Sequence, residues 1–329
     1  MRKCLCLFLS FVLTVACFFG CGTVQEVPTQ PSATVPTQAQ VQTVPETTEA
    51  EEDVLNIMIL GSSRSVNAFH FLYQAFQDQQ PEQALTLGIM YYSGCSMSMH
   101  TKFIKNNEKV YRYYYNTNGL WSYLSKVHMD RGLTDKDWDV VFLQGGSGDH
   151  ANNMNQTCRT FLKMYVDSRV SHPHTLWWHT SWVNATDPSL FDPEKTKLIP
   201  EEVDQYAQLT RATEDTKKYV LNDPMFEGHV CTGTPMMYAL KVLDVPETMI
   251  FRDHTHLTDF GCLLIAYSWY AQFTGNPVTH INLDQIDAEC RQSYYQELGP
   301  LIITEEMKQI IIDTVNYTLK DPWAIPTKE

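Results

Sequence analysis

Apolar residues fall in short continuous runs along the chain. The segments between them place apolar positions three or four apart. Leu55–Leu60, Ala84–Tyr92, Asp139–Leu143, Leu176–Thr180 and Glu227–Thr232 read as strands, short and bounded by glycine or polar residues. Helical spacing runs through Val66–Gln77 (Phe69, Leu72, Phe76) and Gly119–Asp130 (Leu120, Leu124, Val127). Thr157–Val170, Glu201–Leu221, Asp259–Phe273 and Thr304–Leu319 are further predicted helices, and Asn184–Ile199 a long loop. Strands alternating with helices predict an α/β fold: a three-layer α/β/α sandwich around about five parallel strands. In such sheets ligands bind beyond the carboxyl ends of the strands. Ser63 falls there after the first strand and Gly94 after the second. Gln144 and Ser147 follow the third, and His179 and Trp182 the fourth.

The beginning of the chain has a different character. Met1-Arg2-Lys3 is positively charged. The apolar run Cys4–Phe19 is short for a membrane span of about 20 residues. It ends at Gly20-Cys21, which resembles a bacterial lipoprotein signal with Cys21 as the lipidated residue. Residues 1–20 are then a signal peptide. The expected location is the extracytoplasmic face of the membrane, held by a lipid and not by the fold itself. Residues 21–53 are rich in Thr, Pro, Gln, Val and Glu, with no Lys, Arg or aromatic residue, and predict a disordered spacer. Residues 54–329 suit one large domain. The whole chain carries a formal charge of −14; the signal holds two positive charges and the spacer six negative, leaving −10 on that domain. This charge opposes nucleic-acid binding, which depends on neutralising phosphates. Cys95, Cys158, Cys231, Cys262 and Cys290 show no paired spacing, so no disulfide is assigned, and Cys231 and Cys262 lie in apolar surroundings.

The candidate chemistry sits at the two ends of this domain. Asp253 precedes His256 by three residues, so its carboxylate can hold one imidazole nitrogen and leave the other free. Ser63, just after the first strand, is the nucleophile such a pair would activate. Each also has a plain structural role open to it: serines before a helix are favoured caps, and Asp253 or Thr255 can cap the next helix. Asp253, His254 and His256 could alternatively bind a metal, but no third cluster supports it, and no metal or cofactor is expected. The tryptophans 177, 178 and 182 and the run Tyr111–Tyr115 offer flat faces to sugar rings, as well as ordinary packing.

Gly61-x-Ser63, Gly94 after the second strand, the glycine-rich turn after the third and Asp253-x-x-His256 together resemble the SGNH (GDSL-type) hydrolase superfamily. Ser93-Gly94-Cys95-Ser96 with His100, Trp138–Gln144, Trp178–Trp182 and Asp253–Gly261 are similar to an uncharacterised bacterial branch of it, and the resemblance spans about residues 55–275. It implies a flavodoxin-like fold and a serine esterase with Ser63, Asp253 and His256 as catalytic residues. The backbone N–H groups of Ser63 and Gly94, with a side-chain amide from Gln144, would form the oxyanion hole. The chain departs from the superfamily where Gly-x-Asn-Asp is usual; here it reads Gln144-Gly145-Gly146-Ser147. Arg64 beside the nucleophile could contact an anionic substrate group, although solvent is the favoured direction. With His179 and Trp182 it completes the expected substrate-binding set. The implied substrate is a small-molecule or glycan ester, such as an acetylated polysaccharide at the cell surface. O-acyl transfer, or glycan binding without catalysis, are the alternatives.

Overall fold

The computed structural model describes residues 54–117, 119–144, 153–283 and 301–328. The signal, Cys21, the 21–53 spacer, Ser147 and Cys290 lie outside them. The strands are β1 (Leu55–Gly61), β2 (Leu85–Tyr91), β3 (Tyr111–Thr117), β4 (Leu120–Val127), β5 (Val140–Gln144), β6 (Thr175–Thr180) and β7 (Gly228–Cys231). They form one seven-stranded sheet in the order β4-β3-β2-β1-β5-β6-β7. β1, β2, β5, β6 and β7 run parallel, which matches the five expected strands. β3 and β4 add an antiparallel hairpin at one edge.

The helices are α1 (Ser63–Phe69), α2 (Leu72–Gln79), α3 (Met97–Lys105), α4 (Met129–Leu133), α5 (Asn153–Asp167), α6 (Gln205–Tyr219), α7 (Gly233–Lys241), α8 (Glu247–Ile250), α9 (Asp259–Thr274) and α10 (Glu305–Thr318). Successive side chains of a strand point to opposite faces. Ile57 and Ile59 therefore pack with α1, α2, α7 and α9, while Met58 and Leu60 pack with α3, α4 and α5. Both faces are covered, which is why β1 reads as a continuous apolar run. α9 is buried on nearly all sides between the sheet and α10.

Two expectations change. Gly119–Asp130 forms strand β4 and the start of α4, not one helix. The aromatic run before it is β3, whose Tyr111, Tyr113 and Tyr114 are buried and unavailable to sugar. Among the described residues Cys95, Cys158, Cys231 and Cys262 are free thiols. None of the described helices is long and apolar enough to cross a membrane.

Candidate active site

The chain leaves β1 at Gly61 and turns directly into α1. Ser62 is the N-cap, its Oγ accepting from Arg64 N at 3.4 Å. Between Ile57 and Leu72 every residue is buried except Ser63. The serines on either side are tied to one atom. Gln144 Oε1, at the end of β5, accepts from Ser62 N (3.2 Å), Ser62 Oγ (3.1 Å) and Ser65 Oγ (2.6 Å). Ser63 Oγ has no hydrogen-bond partner among the described residues and is the hydroxyl left at the surface. Gly61 makes this crowding feasible, since a Cβ there would stand 1.9 Å from Ser65 Oγ.

The orientation of Gln144 follows from donor chemistry. A backbone N–H can only donate, so the amide atom facing Ser62 is the oxygen. Nε2, with two N–H donors, is then left without a partner among the described residues. Beside it, Tyr92 N donates to Gly61 O at 3.3 Å and extends the β1–β2 ladder toward the site. The following turn contains Gly94, at φ +59° and with nothing within 4 Å of where a Cβ would stand. That conformation favours glycine, and the open space leaves room for a ligand.

The other half lies on the turn between α8 and α9. Asp253 Oδ1 accepts from the backbone N–H of Thr255 (2.9 Å) and His256 (2.8 Å). Its Oδ2 lies 2.8 Å from His256 Nδ1. A carboxylate on Nδ1 selects the Nδ1–H tautomer and leaves Nε2 as the basic nitrogen. Burial would raise the Asp253 carboxyl. The hydrogen bonds from the His256 ring and the two N–H groups outweigh it and hold the group well below the usual carboxylate range. His256 Nε2 has no partner among the described residues. The His254 ring turns away, 5.5 Å from Phe191.

This turn is fastened to α1 on both sides of His256. Arg64 Nη2 donates to Thr255 Oγ1 at 2.8 Å, and Leu257 N donates to Asn67 Oδ1 at 3.3 Å. Thr258 caps α9 by accepting from Gly261 N at 3.2 Å. Gly261 lets the helix start close against α8, since a Cβ there would meet Ile250 O at 2.3 Å. Ser63 and His256 are not hydrogen-bonded to each other, and contacts of this kind often close only once substrate binds.

The expected substrate-binding residues face inward. Arg64 is 3% exposed; Nη1 donates to Ser181 Oγ (3.2 Å) and the Trp182 carbonyl, and Nη2 also reaches Asn184 Oδ1 (2.5 Å). It does not point to solvent. Trp182 is buried, its Nε1 donating to the Thr255 carbonyl at 3.0 Å. His179 is buried with Nε2 2.9 Å from Thr232 Oγ1, and burial, with Arg64 nearby, pushes its imidazole down to about 3. Trp178 is buried too, and Trp177 packs on Phe142 and Phe273. These rings and charges build the floor of the site. Asn184, Thr255, Ser62 and Ser65 also organise it and were not singled out for that role from sequence. Among the described residues no three His, Cys, Asp or Glu side chains are grouped to hold a metal.

The fold is that of an α/β protein with a mixed sheet covered on both faces, and the residues above gather near the carboxyl ends of its central strands. The chain belongs to the DUF4886 family, a domain of unknown function, which matches residues 56–294. Its fold is similar to the crystal structure of a DUF4886 family protein from Bacteroides uniformis. The TM-score is 0.64 at 18% identity, over 83% of this chain and 98% of that one. A weaker likeness joins it to a gut microbial diltiazem-metabolizing enzyme, at TM-score 0.40 and 11% identity over 70% of this chain and 48% of that one. A likeness of that extent carries no inference about this chain. None of the curated proteins matches.

Proposed function

We propose that the protein is a serine esterase of the SGNH type. The observation that carries this reading is the isolation of Ser63. It is the one residue of a buried 57–72 stretch to reach the surface, and it opens a helix bonded to both neighbours of His256. Ser63 Oγ attacks the acyl carbonyl and His256 Nε2 takes its proton. Asp253 holds the ring and stabilises the imidazolium. The oxyanion accepts hydrogen bonds from the N–H groups of Ser63 and Gly94 and from Gln144 Nε2. Collapse expels the alcohol, which takes the proton from Nε2, and water then releases the acid by the same route. Gln144 in this role takes the place of the asparagine that the superfamily carries in Gly-x-Asn-Asp.

The substrate class is an ester of a small acyl group, with carbohydrate acetates the first to test. Lipidation at Cys21 would place the enzyme outside the cytoplasmic membrane, where such esters occur on surface glycans. A fluorophosphonate probe tests the chemistry directly. The wild-type protein is expected to be labelled and Ser63→Ala not, while Ser62→Ala and Ser65→Ala retain labelling. Folded wild-type protein that resists the probe, or Ser63→Ala that still reacts, would remove the assignment. Acetate release from acetylated sugars, with and without an added sugar acceptor, then separates hydrolysis from acyl transfer.

A further inference from the structure

Arg64 is a charged side chain that is almost wholly buried, and its contacts given above are all neutral. The hydroxyl of Thr255 also donates to Asn184 Oδ1 at 2.9 Å, closing a triangle of Arg64, Asn184 and Thr255. The guanidinium lies 5.3 Å from the centroid of the Trp182 ring, whose Nε1 holds the Thr255 carbonyl. Thr255 is therefore fixed at its N–H by Asp253, at its hydroxyl by Arg64 and at its carbonyl by Trp182. Asn184 is fixed in turn, its carbonyl accepting from Gln205 Nε2 at 2.9 Å. Among the described residues no carboxylate forms an ion pair with the guanidinium. Burying a charge whose hydrogen-bond partners are all neutral is costly, the nearby Asp253 carboxylate offsetting only part of it, and a lysine could not reproduce the planar fork that spans three segments.

We propose that Arg64 is a positioning residue. Its guanidinium fixes the His256 turn against the Ser63 helix and keeps a positive charge behind the Asp253–His256 pair. The inference rests on the esterase reading for its catalytic meaning, and on the fork geometry for its substance. The fork joins α1, which begins at Ser63, to the 181–184 segment and to the residue next to His256. A shift of that turn by one ångström would spoil proton transfer, which operates over about 3 Å.

The test uses the full protein carrying ¹⁵N-labelled histidine, with the His256 Nδ1–H signal assigned by its loss in His256→Gln. Arg64→Met and Arg64→Lys both remove the fork, and lysine keeps the charge. Both are expected to broaden the low-field Nδ1–H signal and to slow fluorophosphonate labelling by about tenfold or more. A folded Arg64→Met protein with the wild-type Nδ1–H signal and labelling rate overturns the proposal. Should that variant not fold, Thr255→Val is read in its place: it keeps side-chain volume and loses the anchoring hydroxyl. A broadened Nδ1–H signal supports the proposal, and a wild-type signal overturns it. If wild-type protein resists the probe, the esterase reading fails, and the histidine signals still judge the positioning role.

Discussion

At the scale of single residues, Gln144 separates holding from donating. Its Oε1 gathers three hydrogen bonds that fix Ser62 and Ser65, and its Nε2 is the proposed donor to the oxyanion. Gln144→Glu keeps an acceptor for all three bonds and replaces the N–H donors with an oxygen. Three donors converging on a carboxylate also favour its ionised form. The expected result is a urea stability within about 1 kcal/mol of wild type, because the hydrogen bonds are retained. The loss in kcat/KM should be about 10²–10³-fold, the usual cost of losing one oxyanion donor. A fall in stability with unchanged turnover would make Gln144 a strut and nothing more. The Asp253-x-x-His256 pair was legible in sequence because its bonds close over three residues. The direction of Arg64 was not, because its partners lie 117 to 191 residues away and local sequence says nothing of them.

At the scale of elements, the parallel strands were legible because both of their faces are buried, and an apolar run that is short and closed by glycine or polar residues fits such a strand better than a helix. β4 was not. Its Leu120, Leu124 and Val127 repeat at helical spacing, yet Leu120 and Tyr123 are exposed, and of this strand only Trp121 is buried. An edge strand with so little burial shows no alternation, and pairing with β3 decides its structure. α3 carries no clear helical signal in sequence, because its buried Met97, His100, Thr101 and Phe103 mix polar with apolar residues. The β1–α1 junction yields a sharper test. In Gly61→Ala the new Cβ would stand 1.9 Å from Ser65 Oγ, 2.9 Å from Ser65 Cβ and 2.9 Å from Gln144 Oε1. Overpacking of this kind costs about 1–3 kcal/mol, and Ser65 must release Gln144 to make room. Gly61→Ala is expected to lower the urea midpoint by a corresponding amount. In the Ser65→Ala background the same change should cost less, because the closest atom is gone, although Ser65 Cβ still crowds it. Equal costs in both backgrounds, compared in a double-mutant cycle, would show that the crowding lies elsewhere.

At the scale of the whole molecule, the order of the parallel strands alone is 2-1-3-4-5, so the chain reverses direction across the sheet beside β1. Such a switch point opens a crevice at the carboxyl ends, and the site stands there. Buried polar groups near this end of the sheet and on α3 make the fold sensitive to acid. His179 at the end of β6 and His100 on α3 are completely enclosed, and burial pushes both imidazoles down to about 3. In the unfolded chain each would titrate near pH 6.5. The folded pKa lies below the unfolded one, so between these values the unfolded state binds protons that the native state refuses. Stability is then full above about pH 6.5 and declines as pH falls, by about 1.4 kcal/mol per pH unit for each histidine. Between pH 6 and 5 the unfolded imidazoles are mostly but not fully protonated, so these two groups contribute about 2.3 kcal/mol per unit, and burial lowers His229 and His254 in the same sense. Asp253 adds to the loss only below about pH 4, because its folded pKa is depressed from an unfolded value near 3.9. Urea denaturation at pH 7.5, 6, 5.5 and 5 measures the slope. His179→Gln, whose neutral side chain carries no such titration, should lower the slope by about 1.2 kcal/mol per pH unit between pH 6 and 5, whatever the variant does to stability at pH 7.5. A slope that stays the same after His179→Gln would mean that this imidazole takes up its proton in the folded protein, and that the crevice floor admits charge.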